Sequence, residues 1–177
     1  MLKELEAIVR RAGELVREAH DVERVTSEKT GAADLVTKYD IAVQGFLKRE
    51  LLALLPEADF FGEEGDHAAL TRPWTFIVDP IDGTTNFVRG IAFTNISVAL
   101  ALDGQVEYAV IYAPLLDELF SAQRGCGAFC NGLPIHVSTR DMNHAVFLCG
   151  STIYDRSLTD RHFALLRQLY DRGLDYR

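Results

Sequence analysis

The stretch from Trp74 to Phe87, WTFIVDPIDGTTNF, carries two aspartates, Asp79 and Asp82, at the point where an apolar run gives way to a Gly-Thr-Thr turn. Two nearby carboxylates repel unless cations sit between them, and hard divalent ions take oxygen ligands of this kind. Upstream, PEADFFGEEGD ends a second apolar stretch at Gly62 and follows it with Glu63 and Glu64. Glu63, Asp79 and Asp82, drawn from two loops, therefore compose a candidate hard-metal site. Pro80 restricts the backbone between the aspartates. Beyond them Gly83 permits close backbone approach, and the N–H groups of Gly83, Thr84 and Thr85 at the start of a helix point outward as an anion cradle. Phosphate can bind there beside the metals. Two or three Mg²⁺ ions held this way polarise phosphoryl oxygens, stabilise a leaving alkoxide and lower the pKa of an attacking water.

Each of these residues has a plainer reading. Asp-Pro and Asp-Gly are ordinary turn formers, so alone the two aspartates read equally as turn and as ligand; the upstream Glu63 turns the balance to ligation. Glu64 and Asp66 read as solvated loop acids. Asp40 stands three residues after Thr37, an arrangement that also makes a capping box at a helix start, and both roles can hold at once. Lys29 is a lone lysine in a polar segment, which is ordinarily a solvated charge.

The elements that must position these groups follow from hydrophobic spacing. Leu5, Ile8, Val9, Ala12, Leu15, Val16 and Ala19 recur at helical intervals and predict a helix from Leu2 with one buried face. A second helix is predicted from near Thr37, with Ile41, Val43, Phe46, Leu47, Leu51 and Leu54 as its stripe and Pro56 beyond its end. VERVTSEKTGAADL between them reads as a mobile loop or short hairpin, from which Lys29 can reach a ligand. NISVALAL and QVEYAVIY flank Asp103-Gly104, a strong hairpin signal. ELFSAQ reads as a further strand, GCGAFCNG as a tight return, and PIHVS and AVFLCGS as extended pieces. A last helix runs from about Thr159 to Arg172, closed by Gly173 at its C-terminal cap. With no internal repeat or linker, the chain reads as one folding unit.

Composition narrows the ligand. In 177 residues, 48% of them apolar, a substantial core can form. With 18 basic against 26 acidic residues the net charge is −8, and no basic block is present to track a nucleic acid or an anionic membrane. Cys126, Cys130 and Cys149 lack paired CxxC spacing and suit a reducing compartment, and the five histidines show no zinc grouping. Charges interrupt the N-terminal apolar pattern, so no signal peptide or transmembrane run is read there. A cytoplasmic protein with a small-molecule substrate is expected.

DLVTKYD at 34–40, GEE at 62–64, DPIDGTTNF at 79–87 and RGCGAFCNGLPIHVS at 124–138 together resemble the inositol monophosphatase family of metal-dependent, lithium-sensitive phosphatases, in order and in spacing. The resemblance implies an α/β fold, the N-terminal part of an αβαβα sandwich with a helix pair on a largely antiparallel sheet, and a homodimer. It implies Mg²⁺ ligation by Glu63, Asp79, Asp82 and the backbone carbonyl of Ile81. It implies that Thr84 and Glu63 activate the nucleophilic water, that Asp40 supports Thr84 as proton acceptor, and that Lys29 lies on a mobile loop above the metals. Gly83, Thr84 and Thr85 would hold the phosphate, with Asp82 near a substrate hydroxyl.

The reaction it implies is hydrolysis of a phosphate monoester by direct water attack, with myo-inositol 1-phosphate or a similar polyol phosphate as substrate. Fructose 1,6-bisphosphate and 3′-phosphoadenosine 5′-phosphate are rivals within the superfamily, and a non-catalytic metal-binding or regulatory protein is the alternative of a different class. Family members continue through a GSAAL-like segment to a Trp-Asp motif whose aspartate completes the second metal site. This chain stops at Arg177, so it is expected to lack that carboxylate and the second αβ layer.

Overall fold

The computed structural model describes residues 1–31, 34–65, 69–150 and 156–176. These form two compact units, Met1–Ile135 and His136–Arg177, where the sequence reads as one.

The first unit is built on a seven-stranded sheet: β3 (Asp59–Gly62), β4 (Trp74–Asp82), β5 (Asn95–Leu102), β6 (Gln105–Ala113), β7 (Glu118–Gln123), β8 (Ala128–Cys130) and β9 (Leu133–Ile135), adjacent in that order. Only β3 and β4 run parallel; every other pair is antiparallel. Two helices, α1 (Leu2–Arg17) and α2 (Lys38–Leu54), are joined through a short hairpin of β1 (Thr26–Gly31) and β2 (Asp34–Thr37). The 2-residue side-chain alternation of the strands meets the 3.6-residue stripe of the helices in one core. Leu5, Ile8, Val9, Ala12 and Val16 of α1, with Val43, Leu47 and Leu51 of α2, bury against Phe76, Val78, Ile96, Val98, Leu100, Val110 and Tyr112 of the sheet. The opposite sheet face leaves Ile77, Ile111 and Phe120 exposed. The fold is thus α/β, with helices packed on a largely antiparallel sheet, as the sequence pattern implies.

The Asp103-Gly104 hairpin forms as expected. Both residues adopt positive φ, 49° and 78°, and Leu102 faces Gln105 across the turn, the geometry of a two-residue hairpin loop whose twist matches the strands. Strand pairing in PIHVS ends at Ile135, and Val137 is 92% exposed.

The second unit contains β10 (Val146–Phe147), α4 (Thr159–Arg172) and β11 (Asp175–Tyr176), with β10 and β11 parallel. Gly173 caps α4 through its N–H to the Leu169 carbonyl at 2.8 Å, but with φ −98° rather than in a left-handed conformation. Glycine is needed there for space: a Cβ would run into the Phe147 ring.

Candidate active site

Glu63 and Asp79 are brought together by the parallel pairing of β3 and β4. Gly62 at the end of β3 lies opposite Val78 of β4, and the Glu63 N–H donates to the Val78 carbonyl at 3.0 Å. The next residue on each strand is therefore an acid, and the two acids meet at the carboxyl ends of adjacent parallel strands, a common place for ligands in open sheets. Past Asp79, β4 departs from a regular ladder. Asp79 faces Ser97 and Asp82 faces Asn95, so β4 carries one residue more than β5 over that interval. This is a bulge, and Pro80, which has no N–H to give a ladder, sits inside it.

Burial pushes the Asp79 carboxyl up to about 8, and the nearby Glu63 and Asp82 carboxylates push the same way, against a hydrogen bond from the Ile81 N–H. Asp79 Oδ1 is buried with no hydrogen-bond partner among the described residues. A buried, unpartnered carboxylate oxygen facing other acids is costly in protein alone. A cation removes that cost. Asp82 is exposed, and its Oδ2 accepts from Asn95 Nδ2 at 3.1 Å while its carbonyl accepts from Thr94 Oγ1 at 2.8 Å. Among the described residues no three His, Cys, Asp or Glu side chains are gathered closely enough to hold a metal ion among themselves. The arrangement is a Glu63–Asp79 pair with Asp82 held beside it by Asn95, and its orphaned oxygen fits a hard cation.

Thr84 opens α3 (Thr84–Val88), a single turn whose preceding Gly83 has φ +85°. A Cβ at Gly83 would lie 3.1 Å from the Phe93 carbonyl oxygen, so glycine is required by both conformation and space. Helix geometry leaves the first-turn N–H groups, including those of Thr84 and Thr85, without intrahelical partners; the Phe87 N–H then donates to the Gly83 carbonyl at 3.0 Å. Thr84 Oγ1 lies 3.1 Å from the Ile81 carbonyl and 3.3 Å from Asp40 Oδ1, with its proton directed at these acceptors.

Asp40 reaches Thr84 from the first turn of α2. Its Oδ2 accepts from the Thr37 N–H at 2.7 Å and from Thr37 Oγ1 at 2.6 Å, while Thr37 Oγ1 accepts from the N–H groups of Tyr39 and Asp40. The capping box is thus real, and the link to Thr84 is real as well. Asp40 is 1% exposed. Burial raises its carboxyl above the ordinary aspartate range, against hydrogen bonds from Thr37 and Thr84 that lower it. Tyr39 meets Phe87 edge to face, ring centroids 5.9 Å apart, which docks α3 on the start of α2.

Pairwise contacts thus link Asp40 to Thr84, Thr84 to the Ile81 carbonyl, and Asp79 to Glu63 and Asp82, with Gly83 and Thr85 flanking Thr84 in the chain. Lys29 falls on β1, and its side chain, like the whole of Asp66, lies outside the described residues. Gln44, Thr94 and Asn95 were not singled out from sequence. Asn95 opens β5 opposite Asp82, with Thr94 just before it, a position the Asp103-Gly104 hairpin register alone does not fix. Gln44 follows Asp40 by one helical turn, which is the signal that could have found it.

Residues 1–172 match the inositol monophosphatase family. The chain belongs to that family. It is 40% identical over 134 residues to inositol monophosphatase 1 of Bos taurus, covering 73% of this chain and 48% of that protein. The extragenic suppressor protein SuhB of Bartonella henselae shares its structure with a TM-score of 0.91 at 30% identity, over 99% of this chain and 68% of that one. An IMPase/NADP phosphatase crystallised with Mg²⁺ and phosphate matches with a TM-score of 0.78 at 26% identity, over 98% of this chain and 62% of that one. The chain spans about half the length of the curated relatives it matches. The curated relatives are named inositol monophosphatases. Among the described residues no helix is long and apolar enough to cross a membrane.

Proposed function

We propose that this inositol monophosphatase family chain carries the metal and water-activating half of a Mg²⁺-dependent phosphate monoester hydrolase. The observation that carries this reading is the buried Asp79 Oδ1, orphaned beside Glu63 and Asp82, one bulge away from a threonine that is hydrogen-bonded to a buried aspartate. Glu63, Asp79, Asp82 and the Ile81 carbonyl would hold two or three Mg²⁺ ions. Bound there, Mg²⁺ supplies charge neutralisation at the phosphoryl group and acidifies a water.

The protein's own contribution is orientation and proton handling. Because the Thr84 proton is directed at Asp40 and the Ile81 carbonyl, the lone pairs of its oxygen face outward and can accept from a water. Asp40, with a carboxyl pushed up by burial, takes up a proton more readily than an exposed aspartate, so the water's proton can pass through Thr84 toward it. Glu63 holds the same water from the opposite loop. Gly83, Thr84 and Thr85 would cradle the phosphate, with Asp82 at a substrate hydroxyl and Lys29 above the metals. The water attacks phosphorus directly and no phosphoenzyme forms.

The substrate in this reading is myo-inositol 1-phosphate or a similar polyol phosphate, handled by a cytoplasmic homodimer. Phosphate release from that ester, from fructose 1,6-bisphosphate and from 3′-phosphoadenosine 5′-phosphate, each with Mg²⁺ and with EDTA, tests it. Release that requires Mg²⁺, falls with added Li⁺ and is fastest on the polyol ester is the expected result. No release from any ester, with no Mg²⁺-dependent rise in Tm, overturns it in favour of a non-catalytic protein.

A further inference from the structure

We infer that Gln44 is a positioning residue for the metal site, holding the peptide that carries Glu63. The inference rests on the Mg²⁺ reading above. Gln44 Nε2 donates to the Glu64 carbonyl at 2.6 Å, and its Oε1 accepts from the Glu64 N–H at 2.9 Å. One side-chain amide thus satisfies both backbone groups of one residue. The two contacts also fix which way the amide faces, since the reversed amide would set like groups against each other.

The consequence falls on Glu63. Its own N–H is tied to Val78 of β4 at 3.0 Å, and the residue after it is tied to α2 by Gln44. Gly62 before it is part of the same arrangement: a Cβ there would collide with the Gln44 amide and the Phe60 ring. The backbone of Glu63 is therefore bracketed on both sides, and its carboxylate projects from a peptide that cannot drift. A glutamate that must reach a cation beside Asp79 benefits directly, because ligands fixed before the metal arrives bind it more tightly.

Gln44 lies one helical turn beyond Asp40 on the same face of α2. Successive turns of this helix hold the two sides of the site: Asp40 holds Thr84, and Gln44 holds the Glu63 loop. A role limited to stability predicts that any loosening of α2 has the same effect as loss of the amide.

The test measures the Mg²⁺ Kd by thermal-shift titration with MgCl₂ alone, on the parent chain, Gln44→Met, Val43→Ala and Asp79→Asn. Gln44→Met keeps side-chain length but neither contact, whereas Val43→Ala thins the buried side of α2 without touching Glu64. The expected result is a Kd raised about 10-fold or more by Gln44→Met, little changed by Val43→Ala, and binding lost in Asp79→Asn. A Gln44→Met Kd equal to the parent's, or a Val43→Ala effect as large as that of Gln44→Met, overturns the positioning role while Asp79→Asn still reports the metal site. If the parent binds no Mg²⁺, or Asp79→Asn binds it as well as the parent, the metal reading itself fails and the role of Gln44 falls with it.

Discussion

Asp40 divides its carboxylate between two neighbours: Oδ2 holds Thr37 at 2.6 and 2.7 Å, and Oδ1 faces Thr84 Oγ1 at 3.3 Å. One buried side chain thus caps α2 and supports the hydroxyl proposed to orient the nucleophile. The two duties are separable by mutation.

Thr37→Ala removes the cap hydroxyl and is expected to cost about 1 kcal/mol with kcat nearly unchanged. Asp40→Ala leaves buried donors of Thr37 without an acceptor, costs about 1–3 kcal/mol, and lowers kcat on the order of 10²-fold. Urea denaturation and phosphate release on both variants check this. If kcat falls in step with stability in both, Asp40 is only a cap.

Thr84→Ala should lower kcat by about 10²-fold and leave the Mg²⁺ Kd close to the parent value, since the hydroxyl is not among the proposed ligands. Thr84→Ser keeps the hydroxyl and should recover most of the rate. A serine variant as slow as the alanine one would mean that the methyl group, not the hydroxyl, is what the site needs.

An aspartate raised from 3.8 to about 8 in the folded chain keeps a proton there that the unfolded chain has released. The stability this lends is complete below the unfolded value and is lost as pH rises through about 8. In EDTA, Tm should therefore fall across that window in the parent, and Asp79→Asn, which cannot ionise, should flatten the fall. Mg²⁺ competes with the proton, so its stabilisation of the parent should grow over the same range and be absent in Asp79→Asn. Coincident Tm profiles for the two proteins in EDTA would remove the orphaned-carboxylate argument.

Much of this was legible from spacing. The stripes from Leu5 to Val16 and from Val43 to Leu51 located both helices because each buries one face in a shared core, and Asp103-Gly104 located the hairpin because few other pairs tolerate two positive φ values. The acids and Thr84 were legible because their types cluster around a glycine turn. What spacing could not reveal were contacts set by tertiary approach. Gln44 reads as one more polar residue on an amphipathic helix until the Glu64 peptide is placed against it. Asn95 reads as a strand residue until the bulge sets it opposite Asp82. Gly173 reads only as a C-terminal helix cap, yet its glycine is also required by the Phe147 ring.

Gly83→Ala should cost about 1–2 kcal/mol from the left-handed backbone alone, with a further penalty from the Phe93 carbonyl 3.1 Å from the new Cβ. Urea denaturation measures the loss. An unchanged midpoint would mean that the turn before Thr84 readily adopts another path.

In a regular strand, side chains alternate between faces, so residues an odd number of steps apart point away from each other. Asp79 and Asp82 are separated by such an interval, and the extra residue in β4 cancels the alternation. The segment between them is accordingly a matter of parity. Adding one residue to β5 between Asn95 and Ser97 would restore the ladder and turn Asp82 to the far side of the sheet, whereas replacing Ile81 would leave in place the one group proposed to reach the metal, a carbonyl that every residue has. An alignment that scores identities at these two positions would miss what matters there, which is how many residues stand between the acids.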